Sequence, residues 1–341
     1  MSARIAVIEG DGIGREVIPA AVDILKDMGL GLDFEGYDVG AERFLRTGEA
    51  LPQPMFEEIE AADAILLGAI GDPRITDPTY NTQTLRRLRR GLDLYANVRP
   101  AKLLDARVSP LRDTEGGVDI VVVRENTEGL YSSLGGRFKQ GGPDELAIQE
   151  HLSTRRGVER ILGHAFSLAR RDVVMADKRN AMPHAGGLWQ DCWRAACAAH
   201  PEIPARHLMI DACALHMIQH PAGFDVIVTE NCFGDILSDV AGALIGGVGM
   251  APSANVNTQT GMGMFEPGHG SAPDIAGKGI ANPVAAMLTA ALLLRHLGFA
   301  GEASKVEDAV GAAVRAGECT ADIGGDLTTR QAAEAVARRI G

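Results

Sequence analysis

The 341-residue sequence predicts an α/β protein with a largely parallel, buried sheet. Three observations carry this. Strand-like and helical runs alternate almost throughout. The strand-like runs, such as AILLG at 64–68 and DIVVVRE at 119–125, are apolar over most of their length, as strands covered on both faces are. The length exceeds a comfortable single core, so two domains are expected.

In chain order, Arg4–Glu9 reads as a strand and Gly14–Met28 as a helix. Ala64–Gly68 is a short buried strand, and Thr82–Leu92 an arginine-rich helix. Asp119–Glu125 is a strand, Gly157–Ala169 a helix, Asp172–Ala176 a strand and Gly187–His200 a helix. His207–Ile210 and Phe224–Thr229 are strands, each followed by helix signals. Asn282–Leu297, Ser304–Ala316 and Thr328–Arg339 are late helices. Residues 131–152 break the rhythm. Two glycine pairs bracket the polar segment RFKQ, which reads as two extended arms of the kind that seek a partner chain.

The net charge of −12 argues against a general nucleic-acid or anionic-membrane surface, though not against a locally basic pocket. Five scattered cysteines without a CxxC pair read as reduced thiols. The N-terminus enters a strand with no signal-peptide pattern, which predicts a cytoplasmic protein. The longest apolar run, 283–294, is too short to span a bilayer and reads as a buried helix.

Phe224–Asp239, FDVIVTENCFGDILSD, carries the clearest chemistry. Asp235 and Asp239 stand four apart, on one face if the segment is helical. Two acids just past a strand end form half of a site for a hard divalent cation. The alternative is that they complement the helix dipole. Gly10-Asp11-Gly12-Ile13-Gly14 lacks the G-x-G-x-x-G spacing, so a tight strand-to-helix turn is favoured over a pyrophosphate cradle.

Arg86, Arg87, Arg89 and Arg90 fall in one helical segment, with Arg99 beyond and Arg124 ending the 119–125 strand. Converging guanidinium forks suit a di- or tricarboxylate. A solvated basic face is the alternative, favoured for Arg87 and Arg90. Lys178 ends a strand, where a lowered pKa makes a lysine a base. Tyr131 can donate a proton or simply pack. In the Gly/Pro-rich loop 266–274, His269 can bind a ligand. Asp274 can accept both hydroxyls of a ribose, which favours a cofactor without a 2′-phosphate.

Taken together, IEGDGIG, LRRLRRGLDLYANVRP, VVRENTEGLY, ADKRN, the 224–239 block and EPGHGSAPDIAGKGIANP resemble the β-decarboxylating dehydrogenase family. That family contains isocitrate, homoisocitrate, 3-isopropylmalate and D-malate/tartrate dehydrogenases. The resembling blocks span residues 8–283, and the segment 324–329 also fits. The resemblance implies two α/β domains sharing a large mixed sheet, with a cofactor site that is not a Rossmann fold. It implies a cofactor domain at 1–98 and 248–341, and a substrate, metal and dimerisation domain at 99–247 with an extended arm at 131–152.

Residue by residue, Arg89, Arg99 and Arg124 match the arginines that hold the malate part of the substrate. Tyr131 matches the tyrosine that protonates the enolate, and Lys178 the lysine linked to deprotonating the C2 hydroxyl. Asp211, Asp235 and Asp239 match the Mg²⁺ or Mn²⁺ ligands. Ile13, Glu266, His269, Gly270, Asp274 and Asn282 match the cofactor site. Asp274 followed by Ile275 resembles the NAD form. Lys178 and Asp211 are implied to act in the partner's site, so the resemblance implies a homodimer with shared sites and leaves tetramers open.

For the substrate, Thr82, Leu85 and Arg86 stand where the family reads the variable group. Arg86 against an isopropyl group is unfavourable unless the substrate supplies an anion. It resembles the arginine that homoisocitrate dehydrogenases use for a distal carboxylate. A malate with an anionic substituent is therefore expected, homoisocitrate or isocitrate first. Phosphonomethylmalate, with Arg87 helping, 3-isopropylmalate and D-malate/tartrate are alternatives. Gly268 and Arg179 depart from the family pattern. Gly268 is expected to loosen the cofactor loop, and Arg179 to add an anion contact or be inert. Cys213 and His216 are also atypical beside Asp211. A non-catalytic regulatory subunit and a nucleic-acid binder using the arginine helix are the competing classes.

Overall fold

The computed structural model describes residues 3–77 and 79–341. The first half contains β1 (Ala3–Gly10), α1 (Gly14–Asp27), β2 (Leu32–Gly36), α2 (Ala41–Thr47), α3 (Gln53–Glu60) and β3 (Ala64–Ala69). It continues through α4 (Thr79–Gln83), α5 (Leu85–Gly91), β4 (Ala96–Lys102), β5 (Asp119–Glu125), β6 (Gly135–Phe138) and β7 (Leu146–Gln149). The second half holds α6 (Arg155–Leu168), β8 (Val173–Asp177), α7 (Pro183–Ala199), β9 (Ala205–Met209), α8 (Ile210–Gln219) and β10 (Val226–Thr229). Then come α9 (Asn231–Leu244), β11 (Pro252–Val256), β12 (Gly263–Pro267), α10 (Val284–His296), α11 (Ala300–Arg315) and α12 (Thr329–Ile340).

One ten-stranded mixed sheet runs β2-β1-β3-β12-β11-β4-β5-β10-β8-β9. The outer strands are parallel, and the centre is antiparallel where β11 meets β12 and β4, and where β4 meets β5. The strand rhythm alone missed this centre. β11 is buried along its whole length yet carries Ser253 and Asn255, so hydropathy does not mark it. β4 contains Pro100, which argues against a central strand. β11 pairs only with Ala96–Val98, so Pro100 lies past its end and lacks a ladder bond only on that free side.

Several boundaries move. The expected helix at 82–92 is two helices broken at Thr84, whose ψ of −100° is not helical. Its hydroxyl donates to the Tyr80 carbonyl at 2.9 Å, offering the backbone an alternative to the helical ladder. α7 starts at Pro183, because proline pre-sets the first helical φ. The expected arms at 131–152 are the antiparallel hairpin β6–β7. α10, the longest apolar run, is buried against the sheet and its neighbouring helices, and no described helix is long and apolar enough to cross a membrane. All five cysteines are free thiols.

The tightest helix-to-strand approach in the centre lies at Gly234 of α9. A Cβ there would stand 2.6 Å from Arg124 Cβ and Cγ, the near end of a fully packed side chain. Gly234→Ala is expected to cost a net of up to about 2 kcal/mol, roughly 1–3 of overpacking offset by about 1 of helix propensity. Denaturant midpoints at constant m-value measure it.

Candidate active site

Three strands and a helix bring the predicted residues together. Arg124 ends β5, Arg99 sits in β4, Glu266 in β12, and α9 follows β10. Glu230 caps α9, accepting from Cys232 N at 3.0 Å and Phe233 N at 2.6 Å. Glu230 therefore takes the dipole-facing role. Asp235 and Asp239 lie beyond the first turn, which removes the dipole alternative for them.

A cavity of about 320 Å³ is lined by Arg86, Arg89, Arg90, Arg99, Arg124, Tyr131 and Asp235, with Asn81, Leu85, Asn126 and Asn231. Arg124 donates to Asp235 Oδ1 at 2.5 Å and to Asn231 Oδ1 at 2.9 Å. Arg99 spans Asp235 and Asp239 at 3.7 and 3.6 Å. The Tyr131 hydroxyl donates to Asp235 Oδ2 at 3.1 Å. Arg89 pairs with buried Glu266 at 2.5 Å.

Amides hold these arginines from beneath. Arg99 Nε donates to Asn97 Oδ1 at 2.9 Å. Asn97 Nδ2 donates to Asn255 Oδ1 at 3.0 Å, and Asn255 Nδ2 to Glu266 Oε1 at 2.8 Å. Asn97, Asn126, Asn231 and Asn255 were missed in the sequence. A buried polar residue in an otherwise apolar strand was the available signal.

Electrostatics follow from burial and like charge. Burial pushes the Arg124 guanidinium down to about 10, with Arg89 and Arg99 adding repulsion. Burial opposes ionisation of Asp235, but Arg124 and Arg99 hold its pKa below the usual carboxylate range. Asp239 moves the other way, raised by burial and by the Asp235 charge against the lowering pull of Arg99 and Arg124. Burial and the Asp235 charge raise the Tyr131 phenol, so it stays protonated.

The remaining predicted residues fall elsewhere. Lys178 at the end of β8 pairs with Asp211 of α8 at 2.5 Å, outside the arginine cavity. Among the described residues no group of three or more His, Cys, Asp or Glu could hold a metal. Asp235 and Asp239, two carboxylates one helical turn apart, supply the oxygen ligands that a hard cation takes.

The glycine loop packs on the loop after β12. Ile13 N donates to Ser271 O at 2.9 Å, and a Cβ on Gly12 (φ +54°) would meet that oxygen at 1.9 Å. This is the tight-turn reading. His269 Nδ1 bonds Gly270 O at 2.9 Å, which leaves Nε2 as an acceptor, buried and without a partner. Burial lowers the His269 pKa, keeping it neutral. An orphaned acceptor between these loops fits a ligand's hydroxyl or amide. Asp274 is exposed, whereas Asn282 is committed to Asp322 at 2.9 Å and to Val284 N at 3.0 Å.

Three expectations are corrected. Arg87 and Arg90 are half-buried, not a solvated face. Arg87 lies over Phe56 at 5.1 Å and donates to Leu51 O, so it turns away from the cavity and gives no help with an anion there. Gly268 does not loosen its loop: its N–H bonds Ala251 O at 2.8 Å, with room for a Cβ only 3.0 Å from that atom. Arg179 is exposed, and its side chain makes no contact with the described cavity.

Residues 4–336 match the family described as isocitrate/isopropylmalate dehydrogenase. The chain belongs to that family and is an oxidatively decarboxylating dehydrogenase. It is 45% identical over 341 residues to a 3-isopropylmalate dehydrogenase of Bifidobacterium longum, covering 96% of this chain and 98% of that one. It is also 45% identical to a 3-isopropylmalate dehydrogenase of Mycobacterium tuberculosis, covering 94% and 98%. The crystal structure of isocitrate dehydrogenase from Methylococcus capsulatus superposes with a TM-score of 0.91 at 35% identity, covering 99% of each chain.

Glu266→Gln is expected to destabilise the protein by about 3 kcal/mol at neutral pH, because it strands the Arg89 charge in a dry site. Burial alone would raise Glu266, but Arg89 holds its pKa below the ordinary value. Its contribution is therefore present above the ordinary glutamate pKa of about 4.3 and is lost as pH falls through the lowered one. The stability gap between wild type and variant should narrow on acidification, read by urea midpoints across pH.

Proposed function

We propose that the protein catalyses the NAD- and divalent-metal-dependent oxidative decarboxylation of a malate substituted at C3. The observation that supports this best is the protonated Tyr131 hydroxyl on Asp235, with Arg89, Arg99 and Arg124 around it. When bound, NAD⁺ supplies the hydride acceptor and Mg²⁺ or Mn²⁺ the Lewis acid at the C2 oxygen.

In this reading the chain's own groups do the following. Arg89, Arg99 and Arg124 clamp the malate carboxylates as bidentate forks. Asp235 and Asp239 hold the cation's side of the cavity. Tyr131 delivers its proton to carbon as the sequence ends. Lys178, with Asp211, completes the partner's cavity and takes the C2 hydroxyl proton there. Ile13, Glu266, His269, Gly270, Asp274 and Asn282 line the cofactor side, in a domain of residues 1–98 and 248–341. Exposed Phe138, Leu146 and Ile148 on the β6–β7 arm, with Leu215, Ile218 and Ile236 on α8 and α9, support a homodimer built on the 99–247 domain.

For the substituent, the names of the relatives favour 3-isopropylmalate over homoisocitrate or isocitrate. A second reading, an anionic substituent, is favoured by Arg86 on the cavity wall. Tartrate and D-malate offer Arg86 no partner and rank below both.

The test is NADH formation by the purified homo-oligomer with NAD⁺, Mg²⁺ and each malate in turn. NADH with none of them would favour the regulatory-subunit class instead. Tyr131→Phe is expected to lower kcat by about 10²–10⁴-fold, the usual weight of a positioned acid. An unchanged kcat would remove Tyr131 from proton delivery.

A further inference from the structure

Three of the five guanidinium groups in the cavity are balanced within the chain. Arg89 has Glu266, Arg124 has Asp235, and Arg99 has both Asp235 and Asp239. Arg86 and Arg90 are not. Among the described residues, neither forms an ion pair with a carboxylate. Arg86 Nη1 donates to Ser133 Oγ at 2.8 Å, and Arg90 Nη2 to the Tyr131 carbonyl. Glu125, the acid whose field Arg90 feels, is buried and spent on Thr127 and Glu128 of its own turn.

The two charges stand one turn apart on α5, where like charges repel. Both are half-buried and both line the cavity. Burial and the Arg86 charge together lower the Arg90 pKa. Ser133, which meets Arg86, is held at φ +65°, an unfavourable backbone for a non-glycine residue. Both arginines are also tethered to the Tyr131–Ser133 turn, so their forks are oriented before any ligand arrives.

A substituent lying against this wall decides whether the two charges are answered. An isopropyl group leaves both unpaired, and the one aliphatic side chain lining the cavity is Leu85. A single carboxylate answers one of them. A tetrahedral dianion offers three oxygens to two planar forks and answers both.

We propose that Arg86 and Arg90 form a subsite for a dianionic tetrahedral group, a phosphonate, carried on the C3 substituent of the malate. This rests on the cavity being the substrate site of a decarboxylating dehydrogenase. It replaces Arg87, which faces away, by Arg90.

The experiment has two arms. In the first, the homo-oligomer with NAD⁺ and Mg²⁺ is given 3-(phosphonomethyl)malate, homoisocitrate and 3-isopropylmalate. The phosphonate is expected to have the highest kcat/KM, exceeding isopropylmalate by about 10²-fold or more, since a site built to meet a charged group discriminates against an analogue that lacks it. Arg90→Met should shrink that ratio by about 10-fold or more, with Arg90→Lys, which keeps the charge and loses the fork, falling between. In the second arm, methylphosphonate at millimolar concentration is added to the protein without cofactor or substrate. It should raise the unfolding temperature of the wild type and not that of the Arg86→Met/Arg90→Met variant.

The arms separate two failures. If no malate yields NADH but methylphosphonate protects the wild type alone, the reaction assignment falls and the subsite stands. If isopropylmalate is the best substrate and methylphosphonate protects neither protein, the subsite falls and the reaction stands. An equal loss on all three substrates in Arg90→Met would likewise overturn the subsite, since Arg90 would then be a general support.

Discussion

Everything at the centre of this molecule depends on holding three arginines in a space that water scarcely reaches. Arg89, Arg99 and Arg124 repel one another there, and burial penalises Arg99 and Arg124. The fold answers with Glu266 and Asp235 as partners and with the Asn97–Asn255 amides as a rigid bed. Removing one member leaves the rest uncompensated, because a stranded buried charge costs far more than the intact pair returns. The antiparallel centre of the sheet is what makes this web possible. It places β4, β11 and β12 side by side, so residues from distant parts of the chain meet in register.

The same web links the two sides of the proposed chemistry. Glu266 lies on the strand that leads into the His269 loop, and its carboxylate holds Arg89 of α5. One ion pair and one amide thus join the two sides. Asp235 plays the matching role at the opposite wall, where it meets Arg124, Arg99 and Tyr131 at once.

Much of the peripheral fold was legible because those strands are plain apolar runs between helices. The central strands were not. Ser253 and Asn255 hide β11, because each is tolerated only through a partner elsewhere in the sheet, and Pro100 hides β4, because it is tolerated only where the pairing with β11 has ended. The candidate site was readable as a set of residue types. Arg89, Arg99, Arg124, Tyr131 and Asp235 do gather in one cavity. What could not be read was direction. On α5, neighbouring arginines point to opposite sides, and the break at Thr84 sets which of them face inward.

The sequence by itself determined the class of fold, the family blocks and the residues that carry charge and protons, because these depend on local pattern and residue chemistry. Only the tertiary structure decided which charges are balanced. It committed Asn282 internally, left His269 Nε2 without a partner, set Lys178 and Asp211 together outside the arginine cavity, and left Arg86 and Arg90 as the unanswered pair. The reason is physical: burial and pairing are properties of a three-dimensional neighbourhood. Four arginines in five residues look alike in a line and differ only in what each one meets.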